Sequence, residues 1–165
     1  MLPNNWRYLR GDIYYADMEP HIGSEQGGKR PVVVLQNNIG NRHSPTLIVA
    51  TVTTRTEKKK NQPTHVLVDS NPAFEEPSMI LLEQIFTIDK SRIERFMGYA
   101  SKAEMLRIDM ALLVSLALNV LSGNRRGMGR TRKTGRNRPR QLCDRKNRPS
   151  ELPHMAEAGT VSGSH

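Results

Sequence analysis

The 165-residue sequence predicts a small barrel of mainly β (α+β) type, its open end covered by one amphipathic helix. Three observations lead there. Short runs rich in β-branched and aromatic residues recur between polar and glycine-rich breaks. One segment with helical apolar spacing follows the last of these runs. Beyond residue 121 the apolar pattern stops, which divides the chain into a folded part, 1–121, and a basic tail, 122–165. Several short strands followed by one helix suit a small barrel.

Residues 12–16 (DIYYA) read as a strand. Residues 18–30 (MEPHIGSEQGGKR) are dense in glycine and polar side chains and read as a mobile loop. Residues 31–36 (PVVVLQ) are a continuous β-branched run, consistent with a strand buried on both faces. A polar connection spans 37–45, and a second buried strand, 46–54 (TLIVATVTT), is entered through Pro45. Residues 64–68 (THVLV) alternate as a half-buried strand does. Residues 78–88 (SMILLEQIFTI) form another strand, kinked near Glu83. One helical turn at 89–93 and a last strand at 95–99 complete the β part. The helix then opens on Ser101 as N-cap, with Glu104 completing a capping box. Met105, Ile108, Leu112, Leu116 and Val120 recur at helical spacing, widened by Leu106, Leu113 and Ala117.

Apolar residues make up 36% of the chain, low for a wholly globular protein, so part of the length is expected to be unfolded. From Ser122 onward Gly, Arg, Asn and Pro dominate. Such a segment buries too little surface to offset its ordering entropy and is expected to be disordered. The formal charge of +9 divides unevenly: residues 1–121 hold 14 Lys/Arg against 13 Asp/Glu, and residues 122–165 hold 11 against 3. The excess therefore sits in the tail, where it adds non-specific, salt-sensitive affinity for polyanions and says little about the folded part. The single cysteine, Cys143, excludes an internal disulfide, and neither a CxxC pair nor the scattered histidines suggest a metal site. Residues 1–10 lack the apolar run of a secretory signal, and 110–121 is too short to span a bilayer. The expected location is cytoplasmic, with no membrane partner.

Few side chains invite chemistry. Arg30 ends the glycine-rich loop at a rigid strand, a placement that lets its planar fork face a phosphate. The plainer reading, a solvated arginine beside a strand, is favoured by the local sequence. Thr51 and Thr53 share one strand face, with Thr54 opposite. A hydroxyl there can stabilise a charged oxygen, although threonine is also simply a good β-former. Glu83 and Gln84 interrupt an apolar strand, so one of them faces solvent or a groove. Of the five histidines, His21 alone lies near a plausible site, and all read as surface residues. Lys58 to Lys60 form a short charged run, read as a solvated loop.

Taken in order, the segments carry a recognisable pattern. It comprises Arg10-Gly-Asp-Ile-Tyr, Gly23-Ser-Glu-Gln-Gly-Gly-Lys-Arg-Pro-Val-Val-Val-Leu-Gln-Asn and Asn41-Arg-His-Ser-Pro-Thr. The Thr-rich strand, Pro63-Thr-His-Val, Leu81-Leu-Glu-Gln-Ile and Thr87-Ile-Asp-Lys follow. This series closely resembles the MazF/PemK toxin family of bacterial type II toxin–antitoxin systems, from about Arg10 to Leu118.

The resemblance implies an SH3-like β-barrel with a C-terminal amphipathic helix, the MazF/CcdB-like arrangement, assembled as a homodimer. It implies sequence-specific cleavage of single-stranded RNA, chiefly mRNA, without a metal or other cofactor. The family's catalytic arginine falls on Arg30 and its catalytic threonine on Thr53. Family RNA contacts fall on Ser24 and Glu25, with Gln84 a further one. The expected inhibitor is a cognate, MazE-like antitoxin with an acidic end that occupies the RNA groove. Two departures stand out: Phe86 replaces an arginine common in relatives, and the chain after Ser122 exceeds the usual family length. A non-catalytic gyrase-binding toxin and a plain RNA-binding module are the alternatives on the same barrel.

Overall fold

A computed structural model describes residues 2, 5–56 and 62–118. Its strands are β1 (Asp12–Asp17), β2 (Lys29–Val34), β3 (Thr46–Thr53), β4 (His65–Val68), β5 (Ser78–Asp89) and β6 (Ile93–Tyr99). A short helix α1 (Asn38–His43) joins β2 to β3, a 3-10 turn (Lys90–Arg92) joins β5 to β6, and α2 (Lys102–Ser115) follows. The strands make one antiparallel sheet in the order β4-β5-β3-β2-β1-β6. The mainly β class and the C-terminal helix are as expected.

The barrel is not closed, because the edge strands β4 and β6 do not pair. β4 is only four residues long, and Arg107 of α2 donates to its Leu67 carbonyl at 2.8 Å. The connection after β4 bridges to β6 instead. Asn71 donates to the Tyr99 carbonyl at 3.1 Å. Ala73 packs so closely on Gly98 that a Cβ there would lie 3.0 Å from its own. Asn71 also donates to Glu104 of α2, tying strand edge and helix together.

The run Val32, Val33 and Val34 is fully buried, as a strand covered on both faces requires. On one face Ile13, Val33, Ala50, Val52, Ile80 and Leu82 pack with Ile108 and Ala111 of α2. On the other, Tyr14, Val32, Val34, Leu47 and Val49 pack beneath Trp6, Tyr8, Phe86 and Phe96. The chain ahead of β1 thus supplies a second cover. Trp6 donates to the Tyr14 hydroxyl at 2.9 Å, and that hydroxyl donates to buried Asp12 at 2.9 Å. Phe86 belongs to this apolar layer.

Two local expectations change, and the kink near Glu83 is borne out. The connection at 37–45 contains α1 rather than loop alone: Asn37 caps it through Gly40 N–H, and Asn41 donates to the Gln36 carbonyl at 3.0 Å. This helix has no apolar period, so side-chain capping rather than patterning specifies it. The kink in β5 is a bulge. Its register on β3 jumps from Thr51↔Leu81 to Ala50↔Ile85, which frees Glu83 and Gln84 from the ladder.

The capping box of α2 forms as read, but the helix ends before the apolar spacing does. Ala117 N–H bonds to the Val114 carbonyl and Leu118 N–H to the Leu113 carbonyl, with Ala117 at φ 51°. This paired bonding around a left-handed residue terminates helices. Leu116 is consequently exposed beyond the helix, and Leu106, Met110 and Val114 make an outward apolar stripe. Val120, Lys58 to Lys60 and the tail 122–165 lie outside the described residues.

Candidate active site

The loop between β1 and β2 is tied at both ends. Met18 N–H bonds to the Gly28 carbonyl at 3.1 Å. Glu19 accepts from Gly28 N–H at 2.6 Å, and Glu25 accepts from Ile22 N–H at 2.9 Å. Arg30, the second residue of β2, turns its guanidinium back into this loop. Its Nε donates to the Gly27 carbonyl at 2.6 Å, its Nη2 to the same carbonyl and its Nη1 to Gln26 Oε1. Those bonds leave an outer N–H on each terminal nitrogen uncommitted.

Arg30 and Thr53 lie one strand apart. The β2–β3 ladder pairs Val32 with Thr51, and the same register carried two residues on sets Arg30 opposite Thr53. Ala16 pairs with Arg30 on one side, and Met79 with Thr53 on the other. The Thr53 hydroxyl oxygen accepts from Arg55 N–H at 3.2 Å, so its own proton is available to a ligand. Thr51 is on the same face, one row further in. It is fully buried, and its hydroxyl has no hydrogen-bond partner.

Arg30, Thr53 and Glu25 line a cleft of about 620 Å³, with Glu19, His21 and Arg55 among the other walls. Burial lowers the Arg30 pKa, and the nearby positive charge of Arg55 lowers it further. Two guanidinium groups that repel across a cleft favour a bound anion between them. The Glu19 carboxyl is held below its ordinary value, first by its hydrogen bond with His21 and then by the Gly28 amide.

The expected residues fall into two groups. Arg30, Thr53 and Glu25 share the cleft. Ser24 and Gln84 meet beside it, with Gln84 Nε2 3.5 Å from the Ser24 carbonyl. The β5 bulge makes that meeting possible. Sequence reasoning missed Glu19, Gln26 and Arg55, and treated His21 as surface. Arg55 carried a signal: two residues beyond Thr53, it continues the same alternation. Glu19 carried none and His21 only its place in the glycine-rich loop, since the loop path decides where they go. Among the described residues no group of three or more His, Cys, Asp or Glu is placed to hold a metal ion.

Among the described residues, an antiparallel sheet covered by α2, with an arginine-lined cleft at a loop–strand junction, defines a small β protein. The family model described as PemK-like, MazF-like toxin of type II toxin-antitoxin system matches residues 9–116. The chain belongs to this family. It is 54% identical over 110 residues to Endoribonuclease EndoA of Bacillus subtilis (strain 168), spanning 66% of this chain and 94% of that protein. It is similar to the solved structure of an endoribonuclease in complex with its cognate antitoxin from a mycobacterial species. There the TM-score is 0.58 and the identity 25%, over 68% of this chain and 97% of the other. MazF (Form-I) of Deinococcus radiodurans shares the fold at TM-score 0.60 and 22% identity, over 69% of this chain and all of that one.

Proposed function

We propose that this chain is a sequence-specific endoribonuclease, the toxin of a type II toxin–antitoxin pair, with Arg30 and Thr53 at its reaction centre. The observation that carries the reading is that Arg30 and Thr53 line one cleft together with Arg55. The relative EndoA, named an endoribonuclease, supports the activity. The mycobacterial neighbour, solved with its cognate antitoxin, supports that partner.

The chemistry follows from the groups available. The ribose 2′-hydroxyl oxygen attacks the adjacent phosphorus and displaces the 5′-oxygen, leaving a 2′,3′-cyclic phosphate and a 5′-hydroxyl. Negative charge grows on the non-bridging oxygens as phosphorus becomes five-coordinate. The free N–H groups of Arg30 and the Thr53 hydroxyl are fixed donors for that charge, which favours the transition state over the ground state. Arg55 adds a second positive charge. Glu25, with Ser24 and Gln84 beside the cleft, reads the edges of unstacked bases, as single-stranded RNA recognition requires. DNA lacks the nucleophile and is not cut.

The protein acts in the cytoplasm, and no helix among the described residues is long and apolar enough to cross a membrane. It works as a homodimer, which agrees with the outward apolar stripe on α2. Primer extension on an mRNA incubated with the purified protein in EDTA tests the reading. Discrete stops at one short sequence, with 5′-hydroxyl ends, are expected. An mRNA left intact, or degraded without sequence preference, overturns it.

A further inference from the structure

We propose that His21, oriented by Glu19, is the general acid of this cleft, an assignment that rests on the ribonuclease reading above. The reaction leaves one proton without a donor. As the bond from O2′ to phosphorus forms and the bond from phosphorus to O5′ breaks, O5′ must collect a proton to leave as a hydroxyl. A guanidinium holds its protons too tightly for this task, and a threonine hydroxyl is no better. Imidazole is the side chain suited to proton transfer near neutral pH, and His21 is the histidine that lines this cleft.

His21 and Glu19 are exposed at the cleft, but the pair is anchored to the loop backbone, which orients the ring. Its Nδ1 is 3.0 Å from both carboxylate oxygens of Glu19. Glu19 is itself anchored by Gly28 N–H at 2.6 Å. A carboxylate on Nδ1 fixes the ring and leaves Nε2 as the exchanging nitrogen, the arrangement of a catalytic base or acid held by a third group. The ring rests directly on Gly27, where any Cβ would collide with it. The carbonyl of that same Gly27 grips the Arg30 guanidinium. One residue of the loop therefore contacts both the imidazole and the guanidinium.

In the proposed step the imidazolium gives its Nε2 proton to O5′ while the bond to phosphorus breaks. The proton of the 2′-hydroxyl passes to water in the open cleft. After the products leave, His21 takes a proton back from solvent, so protons and charge balance over the cycle. Glu19 contacts the ring, and the other charged groups lining the same cleft are Glu25, Arg30 and Arg55. Glu19 is a positioning residue.

An RNA carrying sulfur in place of the bridging 5′-oxygen at the cleavage site tests the assignment, because a thiolate leaves without protonation. Wild type, His21→Ala and Glu19→Gln are compared on the oxygen and sulfur substrates, and urea melts check that the variants fold. His21→Ala is expected to cut the oxygen substrate about 100-fold more slowly and the sulfur substrate at the wild-type rate. Glu19→Gln is expected to slow the oxygen substrate less and to move the pH–rate profile. Equal slowing of His21→Ala on both substrates, or no slowing on either, overturns the assignment while leaving the ribonuclease reading intact. If wild type cuts neither substrate, that reading falls and the assignment with it.

Discussion

Arg30 has most of its donors committed to Gly27 and Gln26, so its position does not depend on substrate. Pre-set donors lose little on reaching the transition state, which is where such groups have their largest effect. Arg30→Ala and Thr53→Ala are therefore each expected to lower the cleavage rate by about 100-fold or more. Their urea midpoints should stay near wild type, since both side chains are partly exposed. A single-turnover assay beside an unfolding curve checks both parts. Arg30→Lys should not rescue, because an ammonium cannot span Gly27, Gln26 and a phosphate together.

His65 Nε2 lies 2.6 Å from Glu83 Oε1, and the histidine side chain is 1% exposed. Burial alone would raise the Glu83 carboxyl, but bonds from His65 and the backbone outweigh it and the pKa is lowered from 4.5. A carboxyl depressed on folding adds stability that is complete above its ordinary value and disappears as pH falls through the folded one. Glu83→Gln keeps an acceptor for His65 but cannot ionise. Melts across the acid range should show wild type ahead above pH 4.5, with the gap closing below it.

At the scale of elements, both ends of α2 are specified by local bonds. Ser101 N–H bonds to Glu104 at 2.6 Å, and Glu104 N–H to the Ser101 hydroxyl at 3.2 Å. Ser101→Ala is expected to lower stability by about 1 kcal/mol. Ala117 holds a left-handed conformation that glycine adopts without penalty. Ala117→Gly should raise stability by about 0.5–1 kcal/mol. Denaturant titration reads both, and opposite signs at the two ends of one helix make a stringent pair. Serine three residues before glutamate is a signal visible in any sequence, whereas an alanine that ends a helix carries no such mark. The expected helix therefore began correctly and ran too long.

For the molecule as a whole, the open sheet matters more than a closed barrel would. The gap between β4 and β6 is spanned by side chains, and α2 lies against β4 and β5. This packing leaves Leu106, Met110 and Val114 facing outward, between 53% and 65% exposed. A like-charged surface there should prevent self-association. Met110→Lys combined with Val114→Lys is expected to shift sedimentation from dimer to monomer with the fold retained. Removing residues 122–165 should spare cleavage, because Arg30, Thr53 and Arg55 of the cleft all lie ahead of them in the chain. The shortened chain should also bind RNA with a weaker salt dependence, having lost eight net positive charges.

By itself the sequence determined the strands, the start of α2 and the loop–strand junction that carries Arg30. Alternation, β-branched runs and capping are short-range signals, and each is complete within a few residues. The ordered motifs then singled out Arg30 and Thr53, which local physics had left looking ordinary. Only the tertiary structure decided that the sheet stays open, that residues 5–10 cover its second face and that His21 enters the cleft. Those outcomes depend on contacts between residues far apart in the chain: Arg107 with Leu67, Trp6 with Phe96 and Gln84 with Ser24. No periodicity records such pairs, because each is set by the path of the backbone after the strands have packed.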